Sequence, residues 1–488
     1  MKDSWYQKKW NRIPLYFLLS VIFLILLVNA GSEIAFWDEF NVRYNFIAVD
    51  YLIYTNEVLG NINESYNLLL ISSIALLGVF VILLLLRNRI NASQQKSYRF
   101  GARTKSFFIL LLSPICGYFF IDNSFKNISD NNFVNELAGD GIYEFGAAFW
   151  HNEIDYSKFY KVNDSTKNIN YLRSLYEGDC VSFKNRGLNI DRYIKVNEPA
   201  LNCNLVLISV ESFSADYMKH FGNQENLSPE LDSLIPHSLF FENCYASGTR
   251  TVRGLEALSL AIPPTPGQSI VRRPKNENMF TLGNVLSEKG YDVKYIYGGN
   301  SFFDNMGYFF SNNGYHVLDR SNIPDKRIHH ETAWGVSDED AFGITLDVCD
   351  QTYLKGKLFF NHIMTVSNHR PFTYPDGRID IPSAVQLREG AVKYTDYAIG
   401  KFLKEASQKP WFNNTIFVIV SDHCAKSAGK TDLPINRYHI PCFVYAPQIV
   451  KPKIENRLFS QIDLAPTILG MMNLSYESRF MGFDLFMT

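Results

Sequence analysis

Apolar positions fall into two regimes along this chain. Near the N-terminus they form long unbroken runs, "IPLYFLLSVIFLILLVNA" (Ile13 to Ala30), "NLLLISSIALLGVFVILLLL" (Asn67 to Leu86) and "SFFILLLSPICGYFF" (Ser106 to Phe120). The first two approach the roughly 20 apolar residues that a membrane-spanning helix requires. The third is shorter and carries Pro114. It reads as a third spanning helix, with a buried core helix as the alternative. From Asn202 onward the pattern changes to short apolar, β-rich runs separated by polar and helical segments.

Charge around the long runs gives them a direction. Lys2, Lys8, Lys9 and Arg12 precede the first, and Arg87, Arg89, Lys96, Arg99, Arg103 and Lys105 lie between the second and third without one acid. Basic flanks mark cytoplasmic segments. The loop between the first and second runs holds Glu33, Asp38, Glu39, Asp50, Glu57 and Glu64 against Arg43 alone, as expected outside. Three crossings place everything after Phe120 outside the cytoplasm, so the expected location is the cytoplasmic (inner) membrane, multi-pass, with the large domain facing the periplasm or exterior. A cleaved signal peptide ending at "VNA" before Gly31 is the alternative for the first run, and it leaves the later topology unchanged.

The expected organisation is a membrane region over residues 1–125, a helical and loop connector over 126–200, and a catalytic domain over 201–488. In the last of these, "NLVLISVES", "DVKYIYGG", "KLFFNHIMTVSNH", "TIFVIVSDH" and "PCFVYAP" are nearly continuous apolar strands. Strands buried on both faces lose the alternation of a half-exposed sheet. Helical patterns such as "ENMFTLGNVLSEKG" and "AVKYTDYAIGKFLKEASQ" lie between them. The predicted fold is α/β, a mostly parallel sheet sandwiched by helices, whose ligands gather beyond the carboxyl ends of the strands.

Composition changes this picture little. Lys and Arg number 47 against 49 Asp and Glu, which leaves no basic domain and excludes nucleic acid as the natural partner. The seven cysteines show no CxxC spacing, and their pairing is not readable from sequence.

Chemistry concentrates at the strand ends: Glu211, the Gly298-Gly299-Asn300 turn, His369, and the pair Asp422 and His423. Taken singly, each has an ordinary explanation. A carboxylate at a strand end is commonly a helix cap. His369 in "SNHRPF" and His439 in "RYHIPCFVYAP" serve equally as loop histidines bonded to backbone. The Asp-His pair closing a buried strand is more telling, because burying it is costly unless charge or metal satisfies it.

The ordered set "LISVESF", "SGTRTVRGLEAL", "SNHRPF", "VIVSDH", "YHIPCFVYAP" and "SQIDLAPTIL" resembles the extracytoplasmic domain of the lipoteichoic acid synthase group. That group lies within the sulfatase and alkaline phosphatase superfamily, includes phosphoglycerol transferases, and is similar to phosphoethanolamine transferases of lipid A. The resemblance runs from about Asn202 to the C-terminus. "RYNFIAVDYLIYTNEVLGNINESY" also resembles an intermembrane loop of Gram-negative members.

The resemblance implies that Thr251 is the nucleophile, with Thr249 as its neighbouring competitor. It implies a divalent cation, Mn2+ in first place with Zn2+ or Mg2+ as alternatives, held by Glu211, Thr251, Asp422 and His423. A threonine hydroxyl needs such activation at neutral pH. A bland reading, in which Thr251 only caps a helix, predicts the same local conformation. The resemblance further implies phosphate or substrate contacts from His369 and His439. Arg250 and Arg253 are candidate phosphate clamps or solvated ion-pair partners, and Asn300 is a candidate substrate contact. The implied donor is phosphatidylglycerol or phosphatidylethanolamine in the bilayer, and the acceptor an envelope glycan or glycolipid.

Two departures stand out. Lipoteichoic acid synthases carry five membrane helices where three are read here, and "GGNSFFDNMGYFF" lacks the arginine that contacts glycerol phosphate in that group. Phosphoglycerol transfer is the leading reading because the surrounding pattern is nearest to that group, and phosphoethanolamine transfer is the next. A phosphodiesterase or sulfatase-type hydrolase keeps the same metal site, although "TRTVRG" lacks the "CxPxR" context of a formylglycine sulfatase. A non-catalytic membrane scaffold would be expected to have lost part of the ligand set.

Overall fold

The computed structural model describes every residue except 1–9, 11, 54, 97, 151–160, 162, 186, 188, 432 and 488. Lys2, Lys8 and Lys9 of the basic N-terminal flank, and part of the connector, lie outside the described residues. Two compact units form. One gathers the described residues of 1–55, 62–151 and 428–433, and the other those of 56–61, 152–427 and 434–488. The 126–200 stretch is thus divided between them.

In the first unit the long apolar runs are helices. α1 (Arg12–Phe40) and α2 (Leu68–Gln95) are long and apolar enough to cross a membrane, and they pack along each other. α1 continues through Ala30 and Gly31 without a break. The third run is α3 (Phe100–Phe120), a helix with Pro114 inside it and no buried residue. Its basic first half, Arg103 and Lys105, makes it less apolar than the other two. A polar knot closes this unit: Arg43 pairs with Glu33 and donates its backbone N–H to Glu136 at 2.9 Å, while Lys126 reaches Glu136 at 2.7 Å and Glu144 at 3.3 Å.

The second unit is built on a sheet of eight strands among the described residues. In chain order these are β1 (Asn204–Val210), β2 (Leu239–Phe241), β3 (Asp292–Tyr297), β4 (His316–Leu318), β5 (Phe359–Met364), β6 (Thr415–Ser421), β7 (Cys442–Tyr445) and β8 (Lys453–Glu455). Their spatial order is β8-β2-β7-β6-β1-β5-β3-β4. From β6 to β4 all neighbours are parallel, and β7 runs against both β6 and β2. All five apolar runs read as strands are strands here. The short β2, β4 and β8 escaped sequence reading because three residues carry no period.

Every residue of β1 and β6 is buried. Leu205 and Leu207 of β1 face one core with Ile416, Val418 and Val420 of β6. Val206, Ile208 and Val210 face the other with Phe417 and Ile419. That two-sided burial is why the strands read as unbroken apolar runs. α4 (Thr251–Leu260) and α7 (Gln461–Met471) cover the first face through Val252, Leu255, Leu464 and Ile468. α5 (Asp338–Leu354) and α6 (Arg388–Ala406) cover the second through Phe342, Leu346, Ile399 and Phe402. The carboxyl ends of the adjacent parallel strands β6, β1 and β5 therefore share one rim.

Candidate metal and nucleophile site

Three chain segments meet at that rim. β1 ends at Val210 and delivers Glu211, and β6 ends at Ser421 and delivers Asp422 and His423. α4 begins at Thr251, behind the extended residue Arg250 at φ −148° and ψ 153°. Gly254, one turn into α4, lies against the Asp422 backbone so closely that a Cβ there would collide with the Asp422 carbonyl. Absence of that side chain lets the helix start approach the strand end.

Ligand atoms of Glu211, Asp422 and His423 all lie within 4.8 Å of one another. Thr251 donates its hydroxyl to Glu211 Oε2 at 3.0 Å, and its Oγ1 is 3.5 Å from His423 Nε2. The imidazole orientation is fixed on its far side, where Nδ1 donates to the Cys424 carbonyl at 2.7 Å. This leaves Nε2 aimed at Glu211 Oε1 (3.5 Å) and Asp422 Oδ2 (3.6 Å). Asp422 Oδ1 accepts the backbone N–H groups of Ser212 (2.9 Å) and His423 (2.7 Å), whereas its Oδ2 is buried without a hydrogen-bond partner among the described residues.

This donor set fits a divalent cation. Two carboxylates, one imidazole whose Nε2 offers a lone pair once its proton leaves, and one hydroxyl are oxygen and nitrogen ligands suited to Mn2+, Zn2+ or Mg2+. The orphaned Asp422 oxygen is the kind of buried acceptor that costs free energy unless a cation or proton satisfies it. The titration pattern agrees. Burial and the neighbouring Glu211 carboxylate push Asp422 up to about 8. Burial alone would raise Glu211 too, but His369, His423 and the Ser212 hydroxyl outweigh it and hold that carboxyl well below its ordinary range. For His423, burial works to lower the imidazole, yet Asp422 and Glu211 together hold it up at about 9. Two carboxylates sharing one buried place are driven apart in this way until a cation replaces the proton.

Around these four, the remaining sequence-derived residues divide. His369 Nε2 stands 3.5 Å from Glu211 Oε2, and its ring is stacked on Trp334 at 4.6 Å and 20°. Trp334 is itself anchored by donating Nε1 to the Arg370 carbonyl at 2.8 Å. His439 stacks on Tyr245 at 5.2 Å, and its Nε2 engages the Glu242 carbonyl at 2.7 Å. Arg253 pairs with Glu256 at 2.8 Å and bonds the Gly267 carbonyl, so its guanidinium is taken up by its own neighbourhood. Half-buried Arg250 is the residue that caps α4. Asn300 is exposed and closes its own turn by accepting the Phe302 N–H at 3.0 Å.

Sequence reading missed several residues that shape the site. Gln461, at the start of α7, donates to the carbonyls of Ser421 and Asp422, both at 2.7 Å, and accepts the Ser247 N–H at 2.8 Å. Thr365 Oγ1 accepts the Glu211 N–H at 2.8 Å. Asp338 receives the N–H groups of Val366 (2.7 Å) and Ser367 (3.1 Å), fixing the segment that leads to His369. Gln461 sits inside the motif "SQIDLAP" and was within reach of the sequence. Trp334 and Asp338 belong to no such motif.

Comparison with known proteins places this geometry. The family described as Sulfatase matches residues 203–474. Phosphoglycerol transferase I of Xanthomonas axonopodis pv. citri (strain 306) is 24% identical over 310 residues, which cover 58% of this chain and 43% of that protein. The chain thus matches less than half the length of that relative. A crystal structure of an alkaline phosphatase superfamily protein from Vibrio parahaemolyticus is 31% identical, with a TM-score of 0.64 over 68% of this chain and 80% of that one. The integral membrane lipooligosaccharide phosphoethanolamine transferase A of Neisseria meningitidis is 14% identical, with a TM-score of 0.55 over 94% of this chain and 84% of that one, a likeness of fold that extends beyond the sheet unit.

Proposed function

This chain belongs to the sulfatase family, and on that premise we propose that it transfers a phospholipid headgroup through a phosphothreonine intermediate to an envelope glycan or glycolipid. Phosphoglycerol is the headgroup proposed first, in line with the named activity of the Xanthomonas relative. The observation that carries the reading is the Thr251 hydroxyl, 3.0 Å from Glu211 and 3.5 Å from His423 Nε2 at the start of a helix.

In the first step Thr251 Oγ1 attacks the phosphodiester phosphorus while its proton passes to Glu211 Oε2. The bond from phosphorus to the diacylglycerol oxygen breaks, and His369 delivers a proton to that leaving oxygen. In the second step an acceptor hydroxyl attacks phosphorus and gives its proton to His369, while the phosphorus–Oγ1 bond breaks and Thr251 takes its proton back from Glu211. A divalent cation held by Glu211, Asp422, His423 and Thr251, when bound, supplies the positive charge that lowers the threonine pKa and stabilises the transferring phosphoryl group. Backbone N–H groups in the first turn of α4 point toward the same phosphate.

The proposed organisation is a membrane region to residue 125, a connector to 200, and a catalytic domain outside the cytoplasm, supported by the basic flanks of the apolar helices. Such an anchor keeps the domain beside a donor that scarcely leaves the bilayer.

Full-length protein in detergent, incubated with Mn2+ and either phosphatidylglycerol or phosphatidylethanolamine, tests this by intact-mass analysis. A headgroup adduct on Thr251 that persists until acceptor is added supports transfer, and the donor that forms it names the headgroup. Steady release of free headgroup phosphate without acceptor identifies a hydrolase, and no adduct with either lipid removes the proposal.

A further inference from the structure

Glu211 and Ser212 form a two-residue turn whose four backbone polar groups all have identified partners. The Glu211 N–H donates to Thr365 Oγ1 at 2.8 Å, and the Ser212 N–H donates to Asp422 Oδ1 at 2.9 Å. Both carbonyls are taken by one group: Asn368 Nδ2 donates to the Glu211 oxygen at 3.0 Å and to the Ser212 oxygen at 3.3 Å. Asn368 is 1% exposed and directly precedes His369.

The turn is strained. Ser212 holds φ at +52°, a left-handed conformation that a residue with a Cβ adopts at a cost. That conformation turns the Ser212 hydroxyl onto Glu211 Oε1 at 2.6 Å while its N–H meets Asp422. Glu211 and Asp422 are thereby tied to each other through Ser212. A relaxed Ser212 would break both bonds and free Glu211 to rotate away from Thr251.

From this geometry we infer that Asn368 is a positioning residue, which clamps the Glu211-Ser212 turn in its left-handed form and so sets the ligand geometry on which the proposed transfer rests. Its Oδ1 supports the assignment, being buried without a hydrogen-bond partner among the described residues. An aliphatic side chain of similar size would bury no orphan oxygen, so stability alone does not account for an amide here. Aspartate has the same shape but no N–H to donate, and it would set its oxygens against two carbonyl oxygens.

The test uses full-length protein in detergent, as wild type, Asn368→Ala and Asn368→Asp. Mn2+ affinity of the metal-free protein is expected to fall tenfold or more in each variant, the scale on which partners behind metal ligands act. Hydrogen exchange at the Ser212 and Phe213 amides of the metal-free protein is expected to quicken at least tenfold, while exchange in β3 and α6 stays unchanged. A purely structural role would lower the melting temperature and speed exchange throughout the sheet unit without singling out that turn. Unaltered exchange at Ser212 and Phe213 overturns the inference whether or not the wild type binds Mn2+. Failure of the wild type to bind a divalent cation, with exchange quickened as described, overturns the functional proposal instead. Should Asn368→Ala not fold, Asn368→Asp, which keeps the volume, is read by the same two measurements.

Discussion

Thr251 and Glu211, forty residues apart in sequence, share a 3.0 Å hydrogen bond in which the threonine hydroxyl is the donor. A threonine that merely capped α4 would aim its oxygen at the helix's own amides. Here the hydroxyl points to a buried carboxylate. Thr251→Ala is therefore expected to abolish headgroup transfer by at least about a thousandfold, as removal of a nucleophile does, and to change the melting temperature little. Thr251→Ser should retain measurable adduct formation by intact mass.

Asp422, a proposed ligand, is poorly satisfied in the metal-free protein, since burial and Glu211 push it up to about 8 and its Oδ2 has no partner among the described residues. Asp422→Asn removes the ionisable carboxyl, and with it the anionic ligand, while keeping the shape. Expected is a metal-free protein at least as stable as wild type by thermal unfolding, with Mn2+ affinity reduced tenfold or more by titration calorimetry. A variant that loses stability and keeps affinity would contradict the assignment.

Gly254 offers a test of the close approach between α4 and β6. In an ordinary helix interior, Gly→Ala stabilises by roughly 0.5–1 kcal/mol. At this position the new methyl collides with the Asp422 backbone. Gly254→Ala should reverse the sign and destabilise by about 1–3 kcal/mol, the scale of overpacking, with a loss of transfer activity larger than the stability change explains. Denaturant midpoints and activity on the same preparation check both halves.

His362 lies fully buried in β5, with Nε2 2.7 Å from Ser209 Oγ and Nδ1 without a partner among the described residues. Burial pushes it down to about 3 from an ordinary 6.5. The folded protein therefore holds this ring neutral while the unfolded chain protonates it. Its contribution to stability is complete above pH 6.5 and is lost as pH falls from there toward 3. His362→Gln, which keeps a polar partner for Ser209, should narrow the gap between melting temperatures measured at pH 7.5 and pH 5.

Trp334 backs His369 by stacking at 4.6 Å. Aromatic pairs of this kind contribute about 0.5–1.5 kcal/mol beyond buried area. Trp334→Ala is expected to lower kcat roughly threefold to tenfold through a less ordered His369, and Trp334→Phe to recover most of the loss. An unchanged kcat in the alanine variant would remove His369 from proton transfer or Trp334 from its support.

Local pattern alone determined which of the longer strands are buried and where their ends fall. Unbroken apolar runs mark strands covered on both faces, and polar residues that interrupt such runs stand at the sheet's rim, so Glu211, His369 and the Asp422-His423 pair were legible from hydrophobicity and spacing. Thr251 was legible only through the resemblance of its motif. Tertiary structure alone decided which donors face one another. Arg253 had equal claim to phosphate in the sequence, yet Glu256 and the Gly267 carbonyl occupy it. His439 met a backbone carbonyl instead of the ligand cluster. Ser212 and Asn368 lie inside the quoted motifs "LISVESF" and "SNHRPF", yet their pairing was not legible, because a left-handed turn held by an amide 156 residues further along is fixed by the parallel register of β1 and β5, not by neighbours in the chain. Burial follows from what each short segment contains, whereas hydrogen-bond and ligand geometry depends on ångström-scale placement that arises only when distant strands pair.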